Sequence, residues 1–77
     1  MINKRKPSVL TFEFFEDETG RLRAKCEELG LRRPVESATG KRYSFPKVFG
    51  MQRWFVAEDI VRLQSAQAGD RVEIRVR

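Results

Sequence analysis

Apolar and polar residues alternate strictly in two early segments of the chain. Leu10, Phe12 and Phe14 occupy every second position of residues 9–15, and residues 21–27 show the same period. A period of two places the apolar side chains on one face of a half-buried β-strand. These segments therefore predict two strands whose apolar faces share one core.

The residues between these segments predict a tight β-hairpin. Residues 16–20 are mostly acidic, and Gly20 can adopt the positive φ that such a loop requires near its end. Phe14 is then expected opposite Leu22. The alternative is a helix over residues 17–29, in which Gly20 would cost about 1 kcal/mol. The double alternation favours the hairpin.

Shorter elements are predicted for the middle of the chain. Gly and Pro residues punctuate residues 29–41, which we expect to form a loop with at most a short strand around Val35. Residues 41–49 and 52–56 alternate again and predict two short strands. Pro46 lacks the N–H group that a central strand uses, so the first of these strands ends there or lies at a sheet edge.

One helix and one final strand are predicted near the C-terminus. Residues 57–67 have acids in their first turn, where the helix dipole favours negative charge, and Gly69 follows their end. Residues 71–77 alternate like the first strands. The whole order predicts a β-rich α+β fold. It would be a small curved antiparallel sheet or partly open barrel, of OB-like or SH3-like size, with one short helix before the last strand.

The chain length of 77 residues suits one small domain. We expect residues 1–8 to form a flexible basic arm and residues 9–77 to form that single domain. The predicted core consists of residues on the apolar faces of the elements: Leu10, Phe12, Phe14, Leu22, Ala24, Cys26, Phe45, Trp54, Val56, Ile60, Leu63, Val72, Ile74 and Val76.

Positive charge is concentrated in an aromatic segment. The chain has 16 Lys and Arg against 11 Asp and Glu, a net charge of +5. Residues 37–57 contain no acid but hold four basic residues and five aromatic ones. Nucleic acid binds where aromatic rings stack on bases and Lys or Arg contact phosphates. We therefore expect a non-enzymatic module that binds DNA or RNA, in single- or double-stranded form, through a basic and aromatic β surface of residues 41–55.

The candidate binding residues come from this segment and from two basic clusters outside it. Lys41, Arg42, Lys47 and Arg53 are expected to contact phosphates, and Tyr43 is the favoured stacking residue. The outlying basic candidates are Lys4, Arg5, Lys6, Arg32 and Arg33.

The aromatic residues also permit other interpretations. Phe45 and Trp54 are natural core fillers, in which case the basic residues occupy a solvated face. A different class of function is a small protein-interaction module, such as a regulator, inhibitor or adaptor. It would dock on a larger protein through exposed Phe15, Phe49 and Phe55. A steep dependence on salt would distinguish nucleic-acid binding from such a protein interface.

Catalytic and metal chemistry lack their usual residues. The chain has no His and a single Cys, which excludes Ser-His-Asp and Cys-His catalysis, zinc sites built from Cys and His, iron–sulfur clusters and intramolecular disulfides. Cys26 alternates with apolar residues, so we expect a buried structural thiol. We predict no enzyme activity, no cofactor, no metal site and no membrane partner, with the cytoplasm as the location.

The C-terminal part of the chain carries a family resemblance. Residues 56–76 run as strand, short helix, Gly-Asp and strand, which resembles the ending of AbrB-type swapped-hairpin DNA-binding domains. Ala57 stands where that family usually has Pro, and Gln64 and Ala66 stand at apolar positions. The resemblance implies dimerisation or DNA binding. Residues 71–76 could also pair as an edge strand between two chains to form a homodimer.

Overall fold

Four strands and two short helices form the part of the chain that the structure describes. A computed structural model describes residues 8–50 and 54–76. In chain order the elements are β1 (Val9–Glu16), β2 (Leu22–Cys26), β3 (Leu31–Pro34), α1 (Phe45–Phe49), α2 (Ala57–Gln64) and β4 (Arg71–Arg75). Within these two ranges no helix is long and apolar enough to span a membrane.

The strands form one antiparallel sheet in the order β3-β2-β1-β4. The fourth strand returns to lie beside the first, which is the order of a Greek key. β1 is therefore flanked on both sides, while β3 and β4 form the two edges of a sheet that does not close. The predicted β-rich α+β fold, with a helix before the last strand, is confirmed as an open sheet.

β1 and β2 form the predicted hairpin, and the helical alternative for residues 17–29 is wrong. The register differs from the prediction, because Phe14 lies opposite Ala24 and Leu22 lies opposite Glu16. The pairing is thus shifted by two residues. Since side chains alternate with a period of two, this shift leaves every residue on its predicted face.

The side chain of Asp17 explains this register. Its Oδ1 accepts hydrogen bonds from the backbone N–H of Thr19 (2.9 Å), from the Thr19 hydroxyl (2.6 Å) and from the backbone N–H of Arg21 (3.0 Å). The backbone N–H of Asp17 donates to the Arg21 carbonyl (2.9 Å), and Gly20 has a φ of 80°. These bonds close the loop between Asp17 and Arg21, so β1 continues to Glu16.

A helix replaces the second half of the strand predicted over residues 41–49. Pro46 lies in the first turn of α1, where the backbone needs no N–H donor. Gly50 ends the helix in the left-handed region, with a φ of 65°. The residues before α1 form only an isolated bridge between Glu36 and Arg42.

The strand predicted over residues 52–56 is wrong for the part that the structure describes. Residues 54–56 belong to no strand of the sheet, and residues 51–53 lie outside the described ranges. The side chain of Phe55 turns into the core, with its ring centroid 6.3 Å from that of Phe12. The alternation of residues 52–56 predicts instead that Trp54 and Val56 face the core.

The ring of Phe12 is the centre of the core. It is fully buried on β1 and meets the rings of Phe45 (5.0 Å) and Phe49 (5.2 Å) edge to face, as well as that of Phe55. Phe45 and Phe49 stand four residues apart on α1 and so point to the same side of the helix. Leu63 of α2 belongs to the same buried cluster, so both helices pack on the sheet face that carries Phe12.

Most of the predicted core is confirmed. The predicted residues found buried are Leu10, Phe12, Phe14, Leu22, Ala24, Cys26, Phe45, Leu63, Val72 and Ile74. The predicted residues found only half-buried are Trp54, Val56, Ile60 and Val76. The buried apolar residues that the sequence did not predict are Val35, Phe49, Phe55 and Ala66. Cys26 is the expected buried thiol, and burial raises its pKa above the ordinary value of 9.0.

Replacing the central ring should weaken the whole domain. Phe12→Leu keeps much of the apolar volume but removes the edge-to-face contacts with its neighbours. We expect the free energy of unfolding to fall by about 1–3 kcal/mol. Val61→Ala, on the exposed side of α2, is the control and should change it by less than about 0.5 kcal/mol. Urea unfolding measures both, and equal effects of the two changes would contradict a core centred on Phe12.

The hairpin loop should make stability depend on pH. The hydrogen bond from the Thr19 hydroxyl, supported by backbone N–H groups and by Arg23, lowers the pKa of Asp17 below its ordinary value of 3.8. A carboxyl with a lowered pKa in the folded state stabilises the fold above its unfolded pKa and loses this effect as the pH falls through the folded pKa. Asp17→Asn should therefore be less stable than the wild type near neutral pH. The difference in stability should shrink below about pH 4. Urea unfolding near neutral pH and below about pH 4 measures it, and a difference that is the same at the two pH values would contradict the prediction.

Candidate nucleic-acid interface

The described aromatic residues of the segment 41–55 do not form one continuous surface. Phe45, Phe49 and Phe55 are all buried in the core, with at most 5% of each side chain exposed. Trp54 is half-buried and packs against the same core. The alternative interpretation, in which these aromatic residues fill the core, is the one that the structure bears out for Phe45.

Arg42 turns inward and binds the C-terminal end of α2. Its Nη2 donates hydrogen bonds to the carbonyl oxygens of Leu63 (3.1 Å) and Ala66 (2.7 Å), and its Nη1 lies 3.9 Å from the Glu36 carboxylate. The guanidinium carbon lies 5.9 Å from the centroid of the Phe14 ring. The last carbonyls of a helix lack their usual intrahelical partners, so Arg42 supplies a charged donor to the Leu63 carbonyl in the last turn of α2 and to the Ala66 carbonyl just beyond it.

Gln64 completes this link from the side of the helix. Its amide nitrogen donates to the carbonyl of Tyr43 (2.6 Å), and its amide oxygen accepts from the backbone N–H of Phe45 (2.9 Å). Arg42, before α1, thus bonds to carbonyls at the end of α2, and Gln64, on α2, bonds to the backbone at the start of α1. The polar Gln64, which stands at an apolar position of the helix, has this structural role.

The remaining described candidates of the segment, Lys41, Tyr43 and Lys47, are exposed. Lys41 and Lys47 are exposed, the first beside a turn and the second on α1. Tyr43 is 37% exposed, and its hydroxyl accepts a hydrogen bond from Nη2 of Arg21 (3.2 Å). Arg53 lies outside the described residues, as do Lys4, Arg5 and Lys6 of the arm.

Arg32 and Arg33 point to opposite faces of β3. Arg33 pairs with Ala24, which faces the core, whereas Arg32 pairs with Lys25, which faces away from it. Paired residues of an antiparallel ladder share a face. The structure therefore brings Arg32 together with Lys25 and separates it from Arg33.

The sheet face opposite the helices collects charge from all four strands. We call it the open face, and it consists of Val9, Thr11, Glu13, Phe15, Arg23, Lys25, Arg32, Pro34, Arg71, Glu73 and Arg75. All of these residues except Thr11 are exposed or half-exposed. Five of them are basic and two are acidic, so the strands present a net positive surface.

A row of charged residues crosses the middle of the open face. In register from β3 to β4 it reads Arg32, Lys25, Glu13 and Arg71. Nζ of Lys25 lies 3.7 Å from Oε1 of Glu13, and Arg71 lies 3.9 Å from the Glu73 carboxylate. These pairs are exposed and screened by water, so the cations stay able to exchange their partners for other anions.

Phe15 lies at one end of the open face. It is half-buried, and the guanidinium carbon of Arg32 lies 5.5 Å from its ring centroid. Phe15 also pairs with Arg23 on β2. A depression of about 560 Å³ opens here, and it is lined by Phe15, Glu16, Asp17, Glu18, Thr19, Arg23 and Arg32.

The Glu28 carboxylate occupies the place beside β1 where β2 has ended. It accepts hydrogen bonds from the backbone N–H of Thr11 (2.8 Å) and from the Thr11 hydroxyl (3.1 Å). Burial opposes ionisation of Glu28, but these hydrogen bonds prevail and lower its pKa below the ordinary value of 4.5. These hydrogen bonds give the Glu28 carboxylate a structural role beside the open face.

Both edges of the sheet carry features that hinder pairing with another strand. Pro34 on β3 has no N–H to donate. On β4 the Glu73 carbonyl accepts a hydrogen bond from Nη2 of Arg62 (3.2 Å), which is also paired with Asp59 (3.1 Å). Such protection is typical of edges that stay solvated. The homodimer through residues 71–76 stays a prediction.

Neither a metal site nor a similarity to known proteins gives further information about this surface. Among residues 8–50 and 54–76, no group of three or more His, Cys, Asp or Glu side chains is placed to hold a metal ion. Comparison of the chain with known protein families, with curated proteins and with solved structures gave no match in any of the three. The partial resemblance to AbrB-type domains therefore gains no support from the family comparison.

The sequence pattern does not predict the open face, because its charges come together across the strands and not along the chain. Its basic residues come from three separate segments, and four of the five lie in parts of the chain that are acidic or neutral as a whole: residues 8–30 and 57–77. The signal was present in the polar positions of the same alternation that located the strands. Strand order was also needed, because only the return of β4 beside β1 adds Arg71 and Arg75 to Arg23 and Lys25.

Arg42 should be required for stability. Arg42→Ala leaves two helix-end carbonyls without their charged donor, so we expect a loss of roughly 2 kcal/mol in the free energy of unfolding. Lys41→Ala, the exposed neighbour, should change it by less than about 0.5 kcal/mol. Urea unfolding compares the two variants. Equal stability would show that the guanidinium does not hold the end of α2.

Proposed function

We propose that this protein is a non-enzymatic module that binds nucleic acid through the open face of its sheet. The observation that supports the proposal is the charge of that face, where five basic side chains stand against two acidic ones around Phe15. Basic side chains neutralise phosphates and release the counterions condensed on the polymer, which drives association. The cytoplasm is part of this proposal, as a location in which nucleic acid is present.

The dimensions of the charged row suit a polyphosphate chain. Neighbouring strands lie about 4.8 Å apart, so the row from Arg32 on β3 to Arg71 on β4 spans about 14 Å. One strand of DNA presents about four phosphates over that length. Arg23, which pairs with Phe15, and Arg75, which pairs with Val9, add positive charge on the two opposite sides of this row.

The proposed surface differs from the one expected from residues 41–55. Arg42 is engaged with the end of α2, and Lys47 lies on a helix that packs against the other side of the sheet. Of the ten residues expected to bind, Arg32 lies on the open face. The class of function is thus retained, and its location on the molecule is changed.

Protein docking stays the second candidate, supported by Phe15 alone among its expected anchors. Phe49 and Phe55, which were expected to be exposed, lie in the core. Interfaces between proteins favour aromatic and Arg anchors in their centres. Binding through such a patch would depend weakly on salt, whereas binding of nucleic acid falls steeply as salt rises.

Two matched double variants test which surface binds. Lys25→Gln with Arg71→Gln removes two charges from the open face, and Lys41→Gln with Lys47→Gln removes two charges elsewhere. Fluorescence anisotropy with labelled single-stranded DNA, duplex DNA and RNA, between about 50 mM and about 200 mM salt, measures affinity and salt slope. The first variant should weaken binding and reduce the slope by roughly 1.4 for a single strand or 1.8 for a duplex.

The other outcomes decide against the proposal. A larger loss in the Lys41 and Lys47 variant would move the interface to the segment expected from the sequence. If none of the three polymers binds the wild type at the lower salt concentration, nucleic-acid binding is wrong and protein docking takes its place. Circular dichroism of both variants verifies that each retains the fold.

A further inference from the structure

We propose that Phe15, together with Arg32, forms a stacking site for one unpaired base, so that the ligand of the open face is single-stranded. This inference rests on the proposed function and specifies the form of nucleic acid. Phe15 is the one aromatic residue among the strand positions that form the open face, and it lies beside the charged row, two residues beyond Glu13 on β1.

An exposed and movable side chain, that of Arg32, covers one face of the Phe15 ring. The Arg32 guanidinium carbon lies over the ring, 5.5 Å from its centroid, in a cation–π contact of the kind that contributes little at an exposed site. Arg32 belongs to an edge strand and is exposed, so its side chain can swing aside at little cost. A base can then lie on Phe15, with the guanidinium left to stack on the base or to pair with a phosphate.

The depression beside the ring has the size and charge that a base requires. Its volume of about 560 Å³ falls in the range of small-molecule sites. Glu16, Asp17 and Glu18 line the depression and repel phosphates. The sugar-phosphate backbone is therefore directed along Lys25 and Arg71, and the base is directed into the depression.

A duplex cannot use this site without losing its own pairing. Its phosphates can contact the basic side chains, but its bases are stacked and paired inside the helix. Each base that stacks on an aromatic side chain contributes substantially to the affinity for single strands. A single strand therefore gains a contact from Phe15 that a duplex does not.

The experiment separates the contribution of the base from that of the phosphates. The probes are a labelled single strand of about 12 nucleotides, the same strand with all bases removed, and the corresponding duplex. Phe15→Leu should weaken binding of the intact strand roughly 5- to 150-fold. It should leave the salt slope, the abasic strand and the duplex unchanged, because it removes no charge.

Phe15→Tyr is the matched control. It retains an aromatic ring and should bind the intact strand within about twofold of the wild type. Circular dichroism and thermal unfolding of both variants confirm the fold. If Phe15→Leu loses stability, the wild-type protein alone still tests the inference. A stacking site requires that the wild type bind the intact strand more tightly than the abasic strand.

Two results would overturn the inference in distinguishable ways. If the wild type binds the intact strand, the abasic strand and the duplex alike and Phe15→Leu behaves as the wild type, there is no stacking site. The open face then binds only phosphates, and the proposed function stands. If no probe binds the wild type, the proposed function fails and the stacking site fails with it.

Discussion

The contact between the ring of Phe12 and the rings of the helical segment is the constraint on which the structure depends. A chain of this size can bury one layer of apolar side chains and has too little material for a second. That layer is formed by one face of the sheet and by the side chains of α1, α2 and Phe55. The opposite face of the sheet is consequently left mostly to charged residues, with Phe15 as its aromatic member, and this is the surface on which the proposed function rests.

Arg42 shows how a fold can absorb a charge that the sequence offers for binding. An arginine in a basic, aromatic stretch is typical of a phosphate contact, yet the end of a helix also attracts a cation and offers carbonyl acceptors. The intramolecular partners are held nearby by the chain itself and are present at all times. Helix α2 thereby gains an ordered C-terminal end, and the segment before α1 gains a fixed position.

The sequence was sufficient to predict the elements that alternate strictly with a period of two residues. It was insufficient to predict the structure of the segment between them. The faces of β1, β2 and β4 follow from alternation, because burial on one side imposes it. The register of the hairpin depended on the side-chain bonds of Asp17, and α1 depended on the contacts of Phe45 and Phe49 with Phe12, neither of which a period reveals. The open face needed strand order, a property of the folded chain rather than of any segment.

The bond from Arg62 to the Glu73 carbonyl couples the order of α2 to the solubility of the sheet. As long as α2 is folded, this guanidinium occupies an acceptor on the outer edge of β4. Local unfolding of the helix would release that acceptor and uncover the apolar face beneath it in the same event. Loosening of this one helix would therefore be enough to expose an edge and a face that favour aggregation, even while the strands are still paired.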